Sequence, residues 1–560
     1  MPATPATHSR RRQQTYRWWL IPRADRFPKR RSHWLPLALT VVLATGLVTV
    51  GLWASPWLFA RLTCRSGPLP TSSVWSQDGE CVGLSDGPYA FGLSAFDPVF
   101  QTIARQNKQA GLNPCATGAA PVTVGVLVTS TSLAAGGRAS HELEGFATGQ
   151  ANANKVGCVR PVQLRIAQIG RTEQAAGDVA RLVADSPNVV AVVGMGPSDA
   201  RVVGAVQLLA SRHIPMVADI ITAEGFDQNG SSDDHPDFSR CADHSAYDSG
   251  IGQGFFYRVA YRNATQDRQL YQYLLQAAQH RANTISSAAA PTMPADFIIT
   301  PTTVTDPFTC TALPLLHRQF GENIHEVRFD PNDPTTVNLA VQQLCGREQD
   351  VTAVYAARAQ DLSRFLASID QQYQNGDCKF RSITVASISD ASRIRAPEPD
   401  ANLESLRIQA LTSKTFTDST VRLVYTPLAN PEVLAKKKLS SFTNLQQQFT
   451  NLGFNPTDLD DGWAINAYDA LTTATAAVNT VPLDSDSTNR TITPSQVNTA
   501  IGFFSPSGHP VPSAAQGPLI FDNNGNRSDS DPVVVQVCPA TGQPPRSATV
   551  EVYPSQGSCP

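Results

Sequence analysis

Apolar and polar positions change period twice along residues 188–219, NVVAVVGMGPSDARVVGAVQLLASRHIPMVAD. Residues 189–193 are an unbroken apolar, mostly β-branched run, which predicts a strand buried on both faces. Gly194, Gly196, Pro197 and Ser198 then form a loop, and Asp199 or Ser198 stands where it can cap a helix. The apolar side of that helix is Val202, Val203, Val206, Leu208 and Leu209, and a second apolar run follows at residues 214–218. Strand, loop, helix and strand in this order make a right-handed βαβ unit, whose ligands bind beyond the carboxyl ends of the strands.

The same alternation runs through most of the chain. Strands are predicted at residues 122–130 and 162–169 with helices at 141–154 and 174–184. Further strands fall at 296–299, 324–329, 351–356, 382–387 and 421–425, separated by helices at 312–320, 335–345 and 360–373. Such alternation predicts α/β lobes with parallel sheets covered on both faces. Residues 96–109 have helical spacing through Val99, Phe100 and Ile103, whereas residues 69–76 read as a loop. Residues 224–249 form a long polar loop, and residues 286–294 an Ala/Ser/Pro-rich surface link.

Charge adds a membrane segment to this picture. Nine Arg or Lys residues crowd positions 10–31, and residues 32–60 then carry no Asp, Glu, Lys or Arg. An uncharged run of that length exceeds the roughly 30 Å hydrocarbon core at about 1.5 Å per residue. The basic flank places the N-terminus in the cytoplasm and everything after Arg61 outside. Trp53, Trp57 and Phe59 at the exit suit an interfacial belt better than a signal-peptidase site, so the helix is expected to remain as a signal-anchor. The overall charge of −3 argues against nucleic acid as a partner. All 10 cysteines lie beyond the helix and none forms a Cys-x-x-Cys, which fits disulfides in an oxidising compartment rather than zinc.

Candidate chemistry is sparse. GMGPSDA could be a phosphate loop, a solute loop or a turn that needs glycine; Asp199 puts a like charge where a pyrophosphate would lie, and no Lys-Ser or Lys-Thr follows. No Gly-x-Ser-x-Gly elbow or P-loop is present, and HELEG at His141 lacks the second histidine of a zinc protease. The acidic loop DDHPDFSRCADH around Cys241 matches no ligand spacing for a metal, and DNNGN at Asp522 resembles a calcium loop only loosely. An enzyme is not expected, and no cofactor or metal is implied.

Eight stretches occur in a recognisable order: VTVGVLVTS from Val122, HELEGFATGQANAN from His141, VQLRIAQI from Val162, GMGPS from Gly194, IPMVADIITAEG from Ile214, FFYRVAYRNATQDRQ from Phe255, INAYDALTTATAAV from Ile465 and GPLIFDNNGNRSDSDPVVVQV from Gly517. Through them residues 121–538 resemble the type I periplasmic-binding fold in its branched-chain amino-acid (Leu/Ile/Val) branch, the substrate-binding proteins of ABC transporters, also used as receptor ligand-binding domains. The resemblance implies a two-lobed α/β periplasmic binding protein-like I fold with a hinge of several crossings. Behind a cytoplasmic tail (1–33), an anchor helix (34–61) and a juxtamembrane segment (62–120), it implies lobe 1 at 121–254 and lobe 2 at 255–430. A return to lobe 1 at 431–480, a closing segment with a lobe 2 hairpin at 481–538 and a tail at 539–560 complete the division.

The resemblance also implies a site. Ser198 and Thr222 would offer hydroxyls and amides to a solute carboxylate, with Ile220 and Ile221 supplying backbone and an apolar wall. Asp390, in ISDAS, would take the ammonium from lobe 2. Where the family carries a Tyr after the first long lobe 2 strand, this chain has TVTDPFT with Asp306 and Phe308, and its second aromatic position falls in ARAQD at Ala359 and Gln360. The implied function is capture of an amino acid or related small polar solute for a membrane permease or sensor; the alternative is a protein-interaction module, for instance regulating cell-wall synthesis. The expected disulfides are Cys64–Cys81 by proximity, Cys115–Cys158 and Cys345–Cys378 because each pair precedes neighbouring strands, Cys538–Cys559 in the tail, and Cys241–Cys310 by elimination and a shared cleft side.

Overall fold

The computed structural model describes Thr63, Cys64 and residues 73–559, without residues 113–114, 116, 118, 133, 156–157, 228–236, 243, 248–249, 285–292 and 484–490. The basic tail, the expected anchor helix, most of the acidic loop before Cys241 and most of the Ala/Ser/Pro link lie outside the described residues. Among the described residues no helix is long and apolar enough to cross a membrane.

The first lobe is built on β1 (Val74–Gln77), β2 (Glu80–Ser85), α1 (Asp97–Gly111), β3 (Val122–Val128), α2 (Arg138–Ala153), β4 (Val162–Gln168), α3 (Ala176–Ala184), β5 (Val189–Gly194), α4 (Ala200–Ser211), β6 (Met216–Ala218) and β7 (Phe256–Arg258). Its sheet runs β1-β2-β4-β3-β5-β6-β7, parallel from β4 to β7. Every residue of β3 and β5 is buried, as continuous apolar runs between two helical layers should be. Asp199 caps α4 by accepting from the Arg201 amide.

Residues 73–111 belong to this lobe rather than forming a separate juxtamembrane segment. β1 and β2 make a hairpin that pairs antiparallel with β4, turning at Asp78-Gly79 with φ of 51° and 80°. Two positive-φ residues are what a two-residue turn matching strand twist requires, and Asp-Gly supplies them. α1 buries Val99, Phe100 and Ile103 against the same core.

The second lobe comprises α5 (Asn263–Thr284), β8 (Phe297–Pro301), α6 (Pro307–Phe320), β9 (His325–Phe329), α7 (Pro334–Cys345), β10 (Val351–Tyr355), α8 (Leu362–Gln374), β11 (Ile383–Ser387), α9 (Ala401–Thr412) and β12 (Val421–Tyr425). The chain then adds α10 (Pro431–Lys437), α11 (Ser440–Asn451), α12 (Trp463–Thr480) and α13 (Pro494–Gly502), and ends with β13 (Val534–Val537) and β14 (Thr549–Tyr553). The sheet order is β14-β13-β12-β11-β10-β8-β9, with β13 alone running against the other strands. Both lobes therefore share one parallel core order, second-first-third-fourth-fifth, and both open a crevice where that order reverses.

α11 to α13 return to the first lobe, and α12 lies along α2 with nearly every residue buried. A Cβ on Gly145 would sit 2.2 Å from the Ala464 carbonyl oxygen, so glycine sets how closely these helices approach. Two boundaries differ from expectation. β7 at Phe256–Arg258 pairs with β6, so the first crossing follows it at residues 259–262. The expected lobe 2 hairpin is divided: Leu519 and Phe521 pack in the first-lobe core and Asn526 bridges Arg258, while only β13 joins the second sheet, paired with β14.

The five disulfides join the expected partners. Cys241–Cys310 links the polar loop of the first lobe to α6 of the second, and Cys310 is buried among first-lobe side chains such as Phe226 and Tyr247.

Candidate functional site

Loops at the carboxyl ends of both sheets meet between the lobes. From the first lobe come residues 129–132 and 134–137 after β3, Pro197 and Ser198 after β5, and residues 219–224 after β6; from the second come Asp306 and Phe308 after β8, Arg358 after β10 and Asp390 after β11. The cavity between them is about 20 Å³ and is lined by Arg138, Thr222, Phe308, Arg358, Asp390 and Trp463 among others. That is room for about one water.

Arg138 fills the space between the two sets of loops. The loop before it closely approaches the second lobe: Gly136 has φ of 59°, and a Cβ on Gly137 would lie 2.0 Å from the Pro397 carbonyl oxygen. The fully buried guanidinium uses all five N–H donors. Nε donates to Ala135 O at 3.0 Å, Nη1 to Asp390 O and Ser392 Oγ at 3.1 Å each, and Nη2 to Ala134 O and Asp390 Oδ1 at 2.8 Å each. It also lies 4.4 Å over the Trp463 ring.

Asp390 accepts from the Ala359 amide at 2.7 Å through its other oxygen. Burial pushes its pKa up, but Arg138 and Arg358 outweigh that and hold it below the usual carboxylate value. Arg358 pairs with Asp306 at 3.0 Å, donates to Ser198 O at 2.5 Å and lies 4.5 Å over the Phe308 ring. Arg393 adds a contact to Ala134 O at 3.3 Å while pairing with Glu398. Three second-lobe arginine or aspartate side chains thus touch first-lobe groups.

Of the sequence-predicted residues, Ile220, Thr222, Phe308 and Asp390 line the cavity. Ser198 stands beside it, its Oγ accepting from the amides of Thr222 and Ala223 at 3.2 Å each, which leaves its single proton to donate. Thr222 Oγ1 is buried without a hydrogen-bond partner. Ile221 faces away into the first-lobe core, and Asp306 caps α6 through the Thr309 amide at 3.4 Å. Arg138, Arg358 and Trp463 were not foreseen. The one sequence signal for Arg138 is that no other Lys or Arg occurs between Val122 and Asn154.

Two acidic clusters lie under the first-lobe wall. Glu142 and Asp219 are fully buried and none of their four carboxyl oxygens meets a donor in good geometry. Burial, reinforced by Asp219, pushes Glu142 well up, and burial raises Asp219 to about 7. On the other face of α2, His141 Nδ1 lies 2.5 Å from Asp461 Oδ2, and that carboxylate outweighs the effect of burial to raise the imidazole to about 9. Among the described residues no group of three or more His, Cys, Asp or Glu is placed to hold a metal.

No family model and no curated protein sequence matches the chain. Solved structures do. An ABC-transporter substrate-binding protein of Desulfitobacterium hafniense in complex with Leu is 14% identical, with a TM-score of 0.47, and the match covers 77% of this chain and 100% of that one. The branched-chain amino acid transporter substrate-binding protein of Streptococcus pneumoniae in complex with isoleucine is 11% identical, with a TM-score of 0.48 over 77% and 99% of the two chains. A solute-binding protein of an ABC transporter from R. palustris, in complex with 4-hydroxybenzoate, is 12% identical, with a TM-score of 0.49 over 78% and 98%. The repeated strand order and the divided chain path give this protein a two-lobed α/β architecture, two largely parallel sheets joined by several chain crossings.

Proposed function

We propose that this chain is a membrane-anchored, extracytoplasmic binding protein that takes a small zwitterionic or carboxylate-bearing solute between its lobes and serves a membrane permease or sensor. The observation that carries this reading is Asp390: a buried second-lobe carboxylate at a strand end that already holds a cation, the Arg138 guanidinium, against the Trp463 ring. A solute ammonium would take that place, with the Ser198 proton and Thr222 Oγ1 available to its carboxylate. Entry requires the lobes to part, and the three chain crossings near residues 259–262, 426–430 and 528–533 are where a hinge would turn. The basic flank and uncharged run of residues 10–60 support the anchor, with the N-terminus cytoplasmic.

A second reading, a protein-interaction module without a solute, is favoured by the complete set of partners around Arg138 and by the Cys241–Cys310 bond between the lobes. Thermal shift of the full chain in detergent against L-amino acids and small organic acids separates the two. A solute at a hundred times its Kd stabilises the fold by about 2.7 kcal/mol. Ser198→Ala or Asp390→Ala should weaken a hit roughly ten- to a hundredfold. If no solute moves the melting temperature, or hits ignore both substitutions, the interaction-module reading takes its place.

A further inference from the structure

We propose that Arg138 is a tethered competitor for the solute's cationic group: it occupies Asp390 when no solute is bound, and a solute displaces it back along α2 onto the Glu142–Asp219 carboxyl pair. The identity of the displacing agent rests on the solute-binding reading; the movement itself does not.

Three features of the first lobe carry this. Glu142 is four residues beyond Arg138 on α2, the spacing at which side chains of one helix meet. Glu142 and Asp219 are fully buried against each other, their carboxyl oxygens make no well-aligned hydrogen bond and neither carboxyl has an ion-pair partner within 4 Å among the described residues, a place that a cation would suit. Trp463 gives the guanidinium an aromatic surface in its present place, on the helix that packs along α2. Displacement would leave Asp390 with the arriving cation and would give Arg138 a new counter-ion, so neither charge would be left unpaired. A solute without a cationic group would gain nothing from Asp390 and could not replace Arg138 there. The device therefore selects for solutes that carry an ammonium or guanidinium.

A proton follows from the chemistry of the pair. Glu142 faces Asp219 from the end of β6 and Arg138 from its own helix; from α12 the neutral Asn466 reaches there, its Nδ2 donating to Asp219 O at 2.7 Å. With Arg138 away at Asp390, burial keeps a proton on the pair. Arrival of the guanidinium favours two carboxylates and expels that proton. Solute binding near neutral pH should release a proton and tighten as pH rises.

Two measurements on the full chain in detergent test this. Infrared spectroscopy should show a protonated buried carboxyl in the wild type that Glu142→Gln removes. Asp390→Asn, with Asp390→Ala as a second variant, frees Arg138, and the band's titration midpoint should fall by about one to three pH units. An unchanged midpoint in both variants overturns the proposal whatever the solute. Calorimetry in buffers of different ionisation heat, with L-leucine, L-arginine and guanidinium chloride as probes, reads the proton directly. A probe that binds should release about one proton in the wild type and none in Glu142→Gln. Binding without proton release overturns the displacement and leaves the solute reading intact. A lowered midpoint with no probe bound supports the movement and counts against the solute reading.

Discussion

Replacing Arg138 with Met removes a buried cation and five hydrogen bonds while keeping much of the side chain's length. The carboxylate left behind, Asp390, retains the Ala359 amide and has Arg358 nearby, but loses its 2.8 Å partner. Removing one member of a buried pair costs about 3–5 kcal/mol, and the neighbouring Arg358 puts the expectation at the lower end, about 3 kcal/mol. Urea unfolding of the full chain in detergent, followed by tryptophan fluorescence, reads this, since Trp463 stacks on the lost group. Replacing both partners, Arg138→Met with Asp390→Leu, should recover most of the loss, because two apolar groups leave no charge unpaired. The pH dependence is fixed in sign. The folded Asp390 pKa lies below the ordinary aspartate value of 3.8, so its contribution is present above that pH and is lost as pH falls further through the folded value. The penalty of Arg138→Met should therefore shrink in acid. A single substitution that costs under about 1 kcal/mol, or a double variant as poor as the sum of the two singles, would refute the assignment of Arg138 as a paired, desolvated link between the lobes.

Four further outcomes are expected. Cys241→Ser with Cys310→Ser opens a loop of 69 residues and should cost roughly 4 kcal/mol, together with a larger radius of gyration in solution scattering; an unchanged radius would mean the bond does not limit lobe opening. The His141 pKa is raised to about 9, so its stabilisation is complete below about pH 6.5 and is lost as pH rises through 9; unfolding free energies that fall equally in the wild type and His141→Asn would contradict this. Gly145→Ala places a methyl against the Ala464 backbone and should destabilise by about 1–3 kcal/mol in urea unfolding, a neutral result showing that α2 and α12 can separate freely. Protease added to intact cells should digest the chain beyond about residue 62 and spare an N-terminal tag, whereas a secreted product starting near Cys64 would replace the anchor with a cleaved signal.

What was legible in the sequence is what local pattern encodes. The β-branched runs of β3 and β5 can only be buried strands between helices, and the cysteine pairs before neighbouring strands follow from strand order alone. Ser198 and Asp390 were named because each lies shortly beyond a predicted strand, at a position that the family resemblance implies for a ligand. Arg138 was not, because its meaning comes from Asp390, 252 residues away, and from an aromatic ring on a returning helix. The β1–β2 hairpin was passed over as a loop although Asp78-Gly79 is a strong turn signal, since its strands are short and half exposed. The closing segment was assigned to one lobe because pattern shows a strand but not the sheet it joins.

The most direct test of the account is a structure determined with a solute bound, whether copurified or found by the thermal screen. The expected result is a cationic group of the solute within hydrogen-bond distance of Asp390, over the Trp463 ring, with Arg138 withdrawn from its present 2.8 Å contact. A solute seated elsewhere, with the Arg138–Asp390 pair unbroken between the lobes, would contradict it.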